Sequence, residues 1–302
     1  MKTFYSNGKL LLTGEYVVLD GAFSLAIPTK YGQSLIVEEI DEPKISWTSL
    51  NDEGNIWFED EFILNNNEVL KSTNNNTISK RLNEILNIAK TLNPIFLNPE
   101  KGVKVTTKLD FPRDWGLGTS STLINNIAQW ANVDAYQLLK NSFGGSGYDI
   151  ACAQNNTPIT YQLQNDNPLA KAVDFNPDFK EHLYFVHLNK KQNSRDGIKH
   201  YRDSSENLES AIKEISGITL KILTSNSLRD FENLINSHET IISKITKQTT
   251  AKDLLFSDYE GSIKSLGAWG GDFILVTSQG NPTNYFVKKG YNTVIPYSDT
   301  VL

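Results

Sequence analysis

Three glycine-bearing segments hold the residue types best suited to chemistry. The first, Asn7-Gly8-Lys9-Leu10-Leu11-Leu12-Thr13-Gly14-Glu15-Tyr16, offers an ammonium and a carboxylate; as local structure alone it reads as a β-hairpin edge with turn glycines. The second, Pro112-Arg113-Asp114-Trp115-Gly116-Leu117-Gly118-Thr119-Ser120-Ser121, leads into an apolar-periodic stretch. Glycines remove Cβ atoms, so several backbone N–H groups can converge on one anion, and the helix that follows adds about half a positive charge. The hydroxyls there can cap the helix, contact phosphate oxygens or reach a Mg²⁺ ion. An ordinary capped helix after a glycine turn reads equally well from this segment alone. No Gly-Lys-Ser/Thr closes it, so it is not a Walker loop, and a third glycine for dinucleotide binding is absent.

The third segment runs Phe143-Gly144-Gly145-Ser146-Gly147-Tyr148-Asp149-Ile150-Ala151-Cys152-Ala153. Asp149 reads either as a helix N-cap or as a carboxylate kept ionised by a helix dipole and a nearby cation. In the second role it accepts the proton of an attacking alcohol. A serine-hydrolase elbow is excluded, since Tyr148 stands where glycine is required.

Elements of mixed type must position these segments. Residues 9–18, 23–27, 34–40, 45–47, 56–64 and 102–109 read as strands, and 65–67 and 74–76 as Asn-rich loops. Ile78, Leu82, Ile85, Leu86 and Ala89 recur at helical spacing over 78–92, stopped by Pro94. Helices are predicted over about 120–131 and 134–141, with Asp134 an N-cap. Two prolines among Asn and Asp in 165–177 mark a lobe boundary, giving lobes 1–165 and 166–302. The second lobe reads as a strand at 183–188, a polar loop at 189–197, helices near 207–215 and 228–245, and strands at 273–277, 285–287 and 293–295. The expected class is α+β.

Composition bounds the partners. Of 302 residues 39% are apolar and 21% charged, enough for a sizeable core. The balance of 29 basic and 35 acidic residues argues against a nucleic-acid surface. The lone Cys152 forbids an internal disulfide and a cysteine zinc site. His182, His187, His200 and His238 lack metal-ligand spacing. Lys9, Glu15 and Asp20 interrupt the N-terminal apolar stretch before an export signal could form, and no window is long enough to span a membrane. A cytoplasmic protein with no membrane partner is expected, as monomer or homodimer.

Taken in order, these segments resemble the GHMP kinase superfamily. Asn7 to Tyr16 resembles its opening Pro-Gly-Lys strand, with Asn7 in place of proline. Gly14-Glu15-Tyr16-Val17-Val18-Leu19-Asp20-Gly21 is most similar to phosphomevalonate kinases. Gly116 to Ser121 resembles the Gly-Leu-Gly-Ser-Ser loop, and Ser146-Gly147-Tyr148-Asp149 the Ser-Gly-x-Asp of mevalonate and phosphomevalonate kinases. Lys264-Ser265-Leu266-Gly267-Ala268-Trp269-Gly270-Gly271-Asp272 resembles the third motif, and the Gly-Tyr-Asp-Ile-Ala string at 147–151 resembles the GYDIA-type branch.

The resemblance implies a two-lobed fold, with a ribosomal-protein-S5-like N-terminal lobe, a ferredoxin-like C-terminal lobe and the active site in the cleft between them. It implies an ATP- and Mg²⁺-dependent kinase acting on a small molecule of the mevalonate pathway, with phosphomevalonate first. Mevalonate kinase, diphosphomevalonate decarboxylase and a non-catalytic binding protein of the same fold are the alternatives. Lys9 would contact the transferred phosphoryl and Asp149 would be the base. Gly116, Leu117, Gly118, Thr119, Ser120 and Ser121 would wrap the ATP phosphates, with Ser120 a Mg²⁺ ligand. Glu15, Tyr16, Ser146, Gly147, Gly267, Ala268, Gly270 and Gly271 would line the acceptor side, and the polar loop with Lys190 and Arg195 suits an anion clamp. The adenine would be sought near residues 65–77. Three positions depart from the pattern: 122–143 lacks the family's metal-binding Glu, Leu266 replaces Ser or Thr, and Trp269 replaces glycine.

Overall fold

A computed structural model of the chain describes residues 1–64, 69–72, 74, 76–98, 100–204 and 208–302. In chain order the strands are β1 (Lys2–Leu11), β2 (Ser24–Ile40), β3 (Lys44–Leu50), β4 (Ile56–Leu64), β5 (Val69–Ser72), β6 (Gly102–Leu109), β7 (Ile159–Gln164), β8 (Asn167–Ala172), β9 (Leu183–His187), β10 (Ile263–Ser265), β11 (Phe273–Thr277) and β12 (Val294–Pro296). The helices are α1 (Thr77–Leu92), α2 (Thr119–Ala131), α3 (Ala135–Ser142), α4 (Tyr148–Gln154), α5 (Ser194–Ser204), α6 (Leu208–Leu223), α7 (Leu228–Thr246), α8 (Ala251–Leu255), α9 (Thr283–Lys288) and α10 (Tyr297–Thr300). The chain divides into two compact units, neither a single stretch of sequence: one takes 1–8, 31–113 and 117–154, the other 9–30, 114–116 and 155–302. Strands and helices mix in both, so the α+β, two-lobed class holds.

In the first unit the strand order is β5-β4-β3-β6-β2. Residues 33–40 of β2 pair antiparallel with β6, and β6 pairs in parallel with β3. Period-two patterning turns Ile45 and Trp47 of β3 inward, where they join Phe62 and Val105. Helices close this core with one apolar face each: Leu82 and Leu86 from α1, Ile124 and Ile127 from α2, Leu138 from α3 and Ile150 from α4. Their starts are chemically marked. The Asn76 side chain accepts from the Ser79 N–H to cap α1, and Asp134 accepts from the Gln137 N–H to cap α3.

In the second unit residues 24–26 of β2 pair with β7, and β7 and β8 form a hairpin that turns at Asn165 and Asp166, both with positive φ. A separate antiparallel sheet has the order β10-β11-β9-β12, and all five residues of β11 are buried. Helix α7 lies against α6 and β10 and buries Phe231, Ile235, His238 and Ile242, a stripe at three- and four-residue spacing.

Several expected elements differ. Residues 285–287 are not a strand but part of α9, which starts after Pro282 with the Thr283 N–H bonded to Asn281 Oδ1. Their aromatic character serves ring packing on Phe256 and Tyr259, which strand propensity cannot distinguish from a pleated face. The polar loop expected over 189–197 ends early, since α5 begins at Ser194. Residues 17–20 form a short 3₁₀ turn closed by Gly21 in the left-handed region, so the first strand stops at Leu11. The Asn-rich loop at 65–67 and much of the stretch named for adenine lie outside the described residues.

Candidate functional site

The first unit carries the glycine-capped helix and the candidate base. Gly118 sits at the α2 N-cap with φ 95°, a conformation that disfavours any side chain. No side chain caps the helix at Gly118, and the first-turn N–H groups have no intrahelical acceptor, the kind of helix start at which an anion can bind. The Ser121 hydroxyl donates back to the Gly118 carbonyl at 2.9 Å, and the Thr122 hydroxyl donates to Gln33 Oε1 at 2.8 Å. Both side chains are buried, whereas Ser120 is exposed and Thr119 half-buried. Ser120 is therefore the hydroxyl of this turn best placed to reach an ion.

Asp149 stands half-buried in the first turn of α4, just after buried Ser146 and after Gly147 at φ 85°. Helices α2 and α4 pack together, and a buried amide network ties them. Gln154 Nε2 donates to Asn125 Oδ1 at 3.0 Å, Asn125 Nδ2 to Ser6 Oγ at 2.9 Å, and Ser6 Oγ to Asn126 Oδ1 at 2.7 Å. Asn126 Nδ2 donates to the Gln33 carbonyl. A satisfied polar network of this kind fixes relative orientation more tightly than apolar packing does. Arg113, which precedes the loop, stacks on the Trp57 ring at 3.7 Å.

The second unit holds Lys9, Gly116 and the remaining candidates. Lys9 Nζ donates to the Gly116 carbonyl at 2.9 Å, so the first and second glycine segments meet here. Tyr16, itself at φ 64°, accepts from the Trp269 N–H on its hydroxyl and stacks on Tyr201 at 5.4 Å. Ala268 and Trp269 are buried, Gly270 is exposed and Gly271 is buried. Gly267 and Gly270 have positive φ. Lys190 and Arg195 are exposed, and the Lys190 carbonyl accepts from the Asp272 N–H at 2.7 Å.

Glu15 is committed elsewhere. Its Oε1 lies 2.5 Å from Lys264 Nζ and its Oε2 lies 3.3 Å from His238 Nε2, with all three side chains fully buried. Glu239 Oε1 is 3.7 Å from the same ammonium. Burial pushes both carboxyls up, each to about 7, against the opposing pull of Lys264. His238 is driven well down by burial and by the Lys264 charge, so its ring is neutral and Nε2 accepts from the Gly14 N–H at 2.9 Å. The third motif and the first are thus joined through a buried ammonium. Lys264, His238, Glu239 and Asp272 are the residues that motif reading assigned no role. For His238 a signal was present, since it falls on the apolar stripe of α7, where a polar side chain must find partners.

Among the described residues no three His, Cys, Asp or Glu side chains form a metal-holding group, and no helix is long and apolar enough to cross a membrane.

The mixed strands and helices of the two units make an α+β architecture, and comparison with known proteins says which fold it is. No family model matches the chain. The mevalonate kinase of Methanocaldococcus jannaschii is 22% identical over 284 residues, 89% of each sequence. Its crystal structure covers 97% of this chain and 96% of its own, with a TM-score of 0.71 and 17% identity. Streptococcus pneumoniae phosphomevalonate kinase, in complex with phosphomevalonate and AMPPNP, covers 99% and 97% with a TM-score of 0.70 and 14% identity. A D-glycero-D-manno-heptose 1-phosphate kinase from a Bacteroides species covers 97% and 94% at a TM-score of 0.67 and 16% identity. The chain has the GHMP kinase fold, and the resemblance read from its motifs holds over nearly its whole length.

Proposed function

We propose that the protein is an ATP-dependent phosphotransferase of the mevalonate-pathway type, with phosphomevalonate as first acceptor and mevalonate as second. The observation that carries this reading is the pairing of α2 and α4. One presents a glycine-capped N-terminus with an exposed Ser120; the other presents Asp149 in its first turn; and Gln154 bonds Asn125 between them. Donors for a triphosphate and a carboxylate for a substrate hydroxyl are what phosphoryl transfer requires, since positioning and charge stabilisation supply most of the catalysis.

In this reading the amides of Thr119, Ser120 and Ser121 hold phosphate oxygens. Asp149 takes the proton of the acceptor hydroxyl as its oxygen bonds to the γ-phosphorus; the bond from that phosphorus to the β–γ bridging oxygen breaks and ADP leaves. Lys9, oriented by the Gly116 carbonyl, offsets charge on the transferred group. Lys190 and Arg195 receive the acceptor's acidic groups, and Tyr16, Ser146, Gly147, Gly267, Ala268, Gly270 and Gly271 shape its surroundings. Glu15 serves from the interior, through Lys264. Mg²⁺ fits as an ion arriving with the nucleotide, because it commonly keeps waters and phosphate oxygens and needs few protein ligands; Ser120 would supply one. When bound it neutralises phosphate charge.

Phosphomevalonate is preferred because residues 14–21 most resemble phosphomevalonate kinases and because exposed cations, Lys190 and Arg195 among them, stand near the start of α5. A coupled ADP-release assay over mevalonate, phosphomevalonate, diphosphomevalonate and several sugars tests it. Turnover on phosphomevalonate is expected. Turnover confined to a sugar ends the mevalonate-pathway assignment, and no turnover together with no ATP-induced thermal shift ends the kinase reading.

A further inference from the structure

Asp272, the last residue of the third glycine motif, is held by three hydrogen bonds to one segment of the second unit, residues 188–192, and by contact with a second segment at Gly116. Its N–H donates to the Lys190 carbonyl at 2.7 Å, its carbonyl accepts from the Leu188 N–H at 2.8 Å, and its Oδ1 accepts from the Gln192 N–H at 3.1 Å. The carboxyl also lies flat against Gly116: a Cβ built there would stand 2.6 Å from both carboxylate oxygens. Any side chain at position 116 would displace the acid. The residue adopts φ 55°, a left-handed conformation unusual outside glycine, and is 9% exposed. Such strain persists only where the surroundings hold it.

The same Gly116 carries the carbonyl that accepts from Lys9. Its neighbours are clasped as well: His187 Nε2 lies 3.1 Å from the Asp114 carbonyl, and Trp115 packs edge-on against Phe273 at 5.4 Å. Burial raises the Asp272 carboxyl, while the Gln192 amide, bonded to it, and the charges of Lys9, Lys191 and His187 oppose that rise. We infer that Asp272 is a positioning residue: through Gly116 it sets where the Lys9 ammonium stands, and through Gln192 it holds the segment that bears Lys190. Its catalytic part rests on the phosphotransferase reading; its structural part does not.

Asp272→Asn keeps the Oδ1 acceptor and removes the charge, and Asp272→Gly accepts φ 55° without strain should the first variant fold poorly. On the acceptor the wild type turns over, Asp272→Asn is expected to lower kcat about 10-fold or more with the KM for ATP changed less than about twofold, the signature of misplacement rather than lost ground-state binding. In a Lys9→Ala background the same substitution should change kcat by less than about twofold, because groups acting through one another are non-additive. Independently of turnover, the NMR resonance of reductively dimethylated Lys9, assigned with Lys9→Arg, should move in Asp272→Asn. Additive losses in the double variant, or a change in KM alone, overturn the catalytic part. An unmoved Lys9 resonance overturns the positioning itself. If the wild type turns over no acceptor, the kinase reading falls and the resonance alone decides Asp272.

Discussion

The α2 turn at 118–121 and the third motif at 264–272 are both glycine-punctuated and both begin or end beside polar residues, yet they handle polarity in opposite ways. At 118–121 the helix start has no side-chain cap and Ser120 is exposed, while the Ser121 and Thr122 hydroxyls bond to Gly118 and Gln33. At 264–272 the charges are inside: Lys264 is fully buried between Glu15 and Glu239, and Asp272 is spent on Gln192 and Gly116. The first region leaves its helix start without a side-chain cap and Ser120 exposed; the second uses its charges to hold chain segments in place. The difference is that an uncharged donor array can stay solvated at little cost, whereas a buried charge is tolerated only when paired.

That contrast can be broken most forcefully at Lys264. Lys264→Met leaves two carboxyls buried without their cation and should cost about 3–5 kcal/mol of stability in urea unfolding, as loss of one partner of a buried pair does. The double variant Lys264→Met, Glu15→Gln should recover part of that; no recovery would show that the pairing is not what holds the cluster. Next in size, Asp149→Asn should fold normally, bind nucleotide and lose at least about 100-fold in rate, the scale of a general base. A near-normal rate removes Asp149 from that role.

A smaller effect is a pH dependence. Glu239 is raised from its ordinary 4.5 to about 7, so between these values the native state binds more protons than the unfolded chain. Its contribution to stability is therefore complete below about 4.5 and lost as pH climbs through 7, at up to about 1.4 kcal/mol per pH unit. Glu15 has the same sign, and depressed His238 the opposite, costing stability as pH falls below its ordinary 6.5. Glu239→Gln removes one of these slopes, so it should gain stability relative to wild type as pH rises from 5 to 7, measured by paired urea melts. A constant difference would mean Glu239 is ionised throughout. Smallest, Ser120→Ala should leave stability within about 0.5 kcal/mol while weakening nucleotide binding, because the side chain is exposed and makes no packing contact of consequence. A large loss of stability there would place the hydroxyl in the fold rather than at its surface.

Much of this molecule is legible in local pattern. The apolar spacing of Leu82, Ile85, Leu86 and Ala89 gives α1 to within a residue, and the Asp134 cap and strand 102–109 are found where they are expected. These depend on periods of 3.6 and 2 and on short-range hydrogen bonds, all contained in a few consecutive residues. The misreadings have the opposite origin. Tyr285 and Phe286 enter a helix because rings from Phe256 and Tyr259 await them, and Ser194 begins a helix in a stretch too polar to show an apolar stripe.

The candidate site divides along the same line. Glycine spacing and residue type by themselves determine that 116–121 is a turn into a helix, that this turn is not a Walker loop, and that Asp149 opens another helix. Only the tertiary structure decides that Glu15 turns inward to Lys264, that His238 is a neutral acceptor for Gly14, and that Asp272 rests on Gly116. Their partners lie 249, 224 and 156 positions away along the chain. No local period encodes such a pairing, because a buried charge is specified by whichever counter-charge the folded chain brings to it.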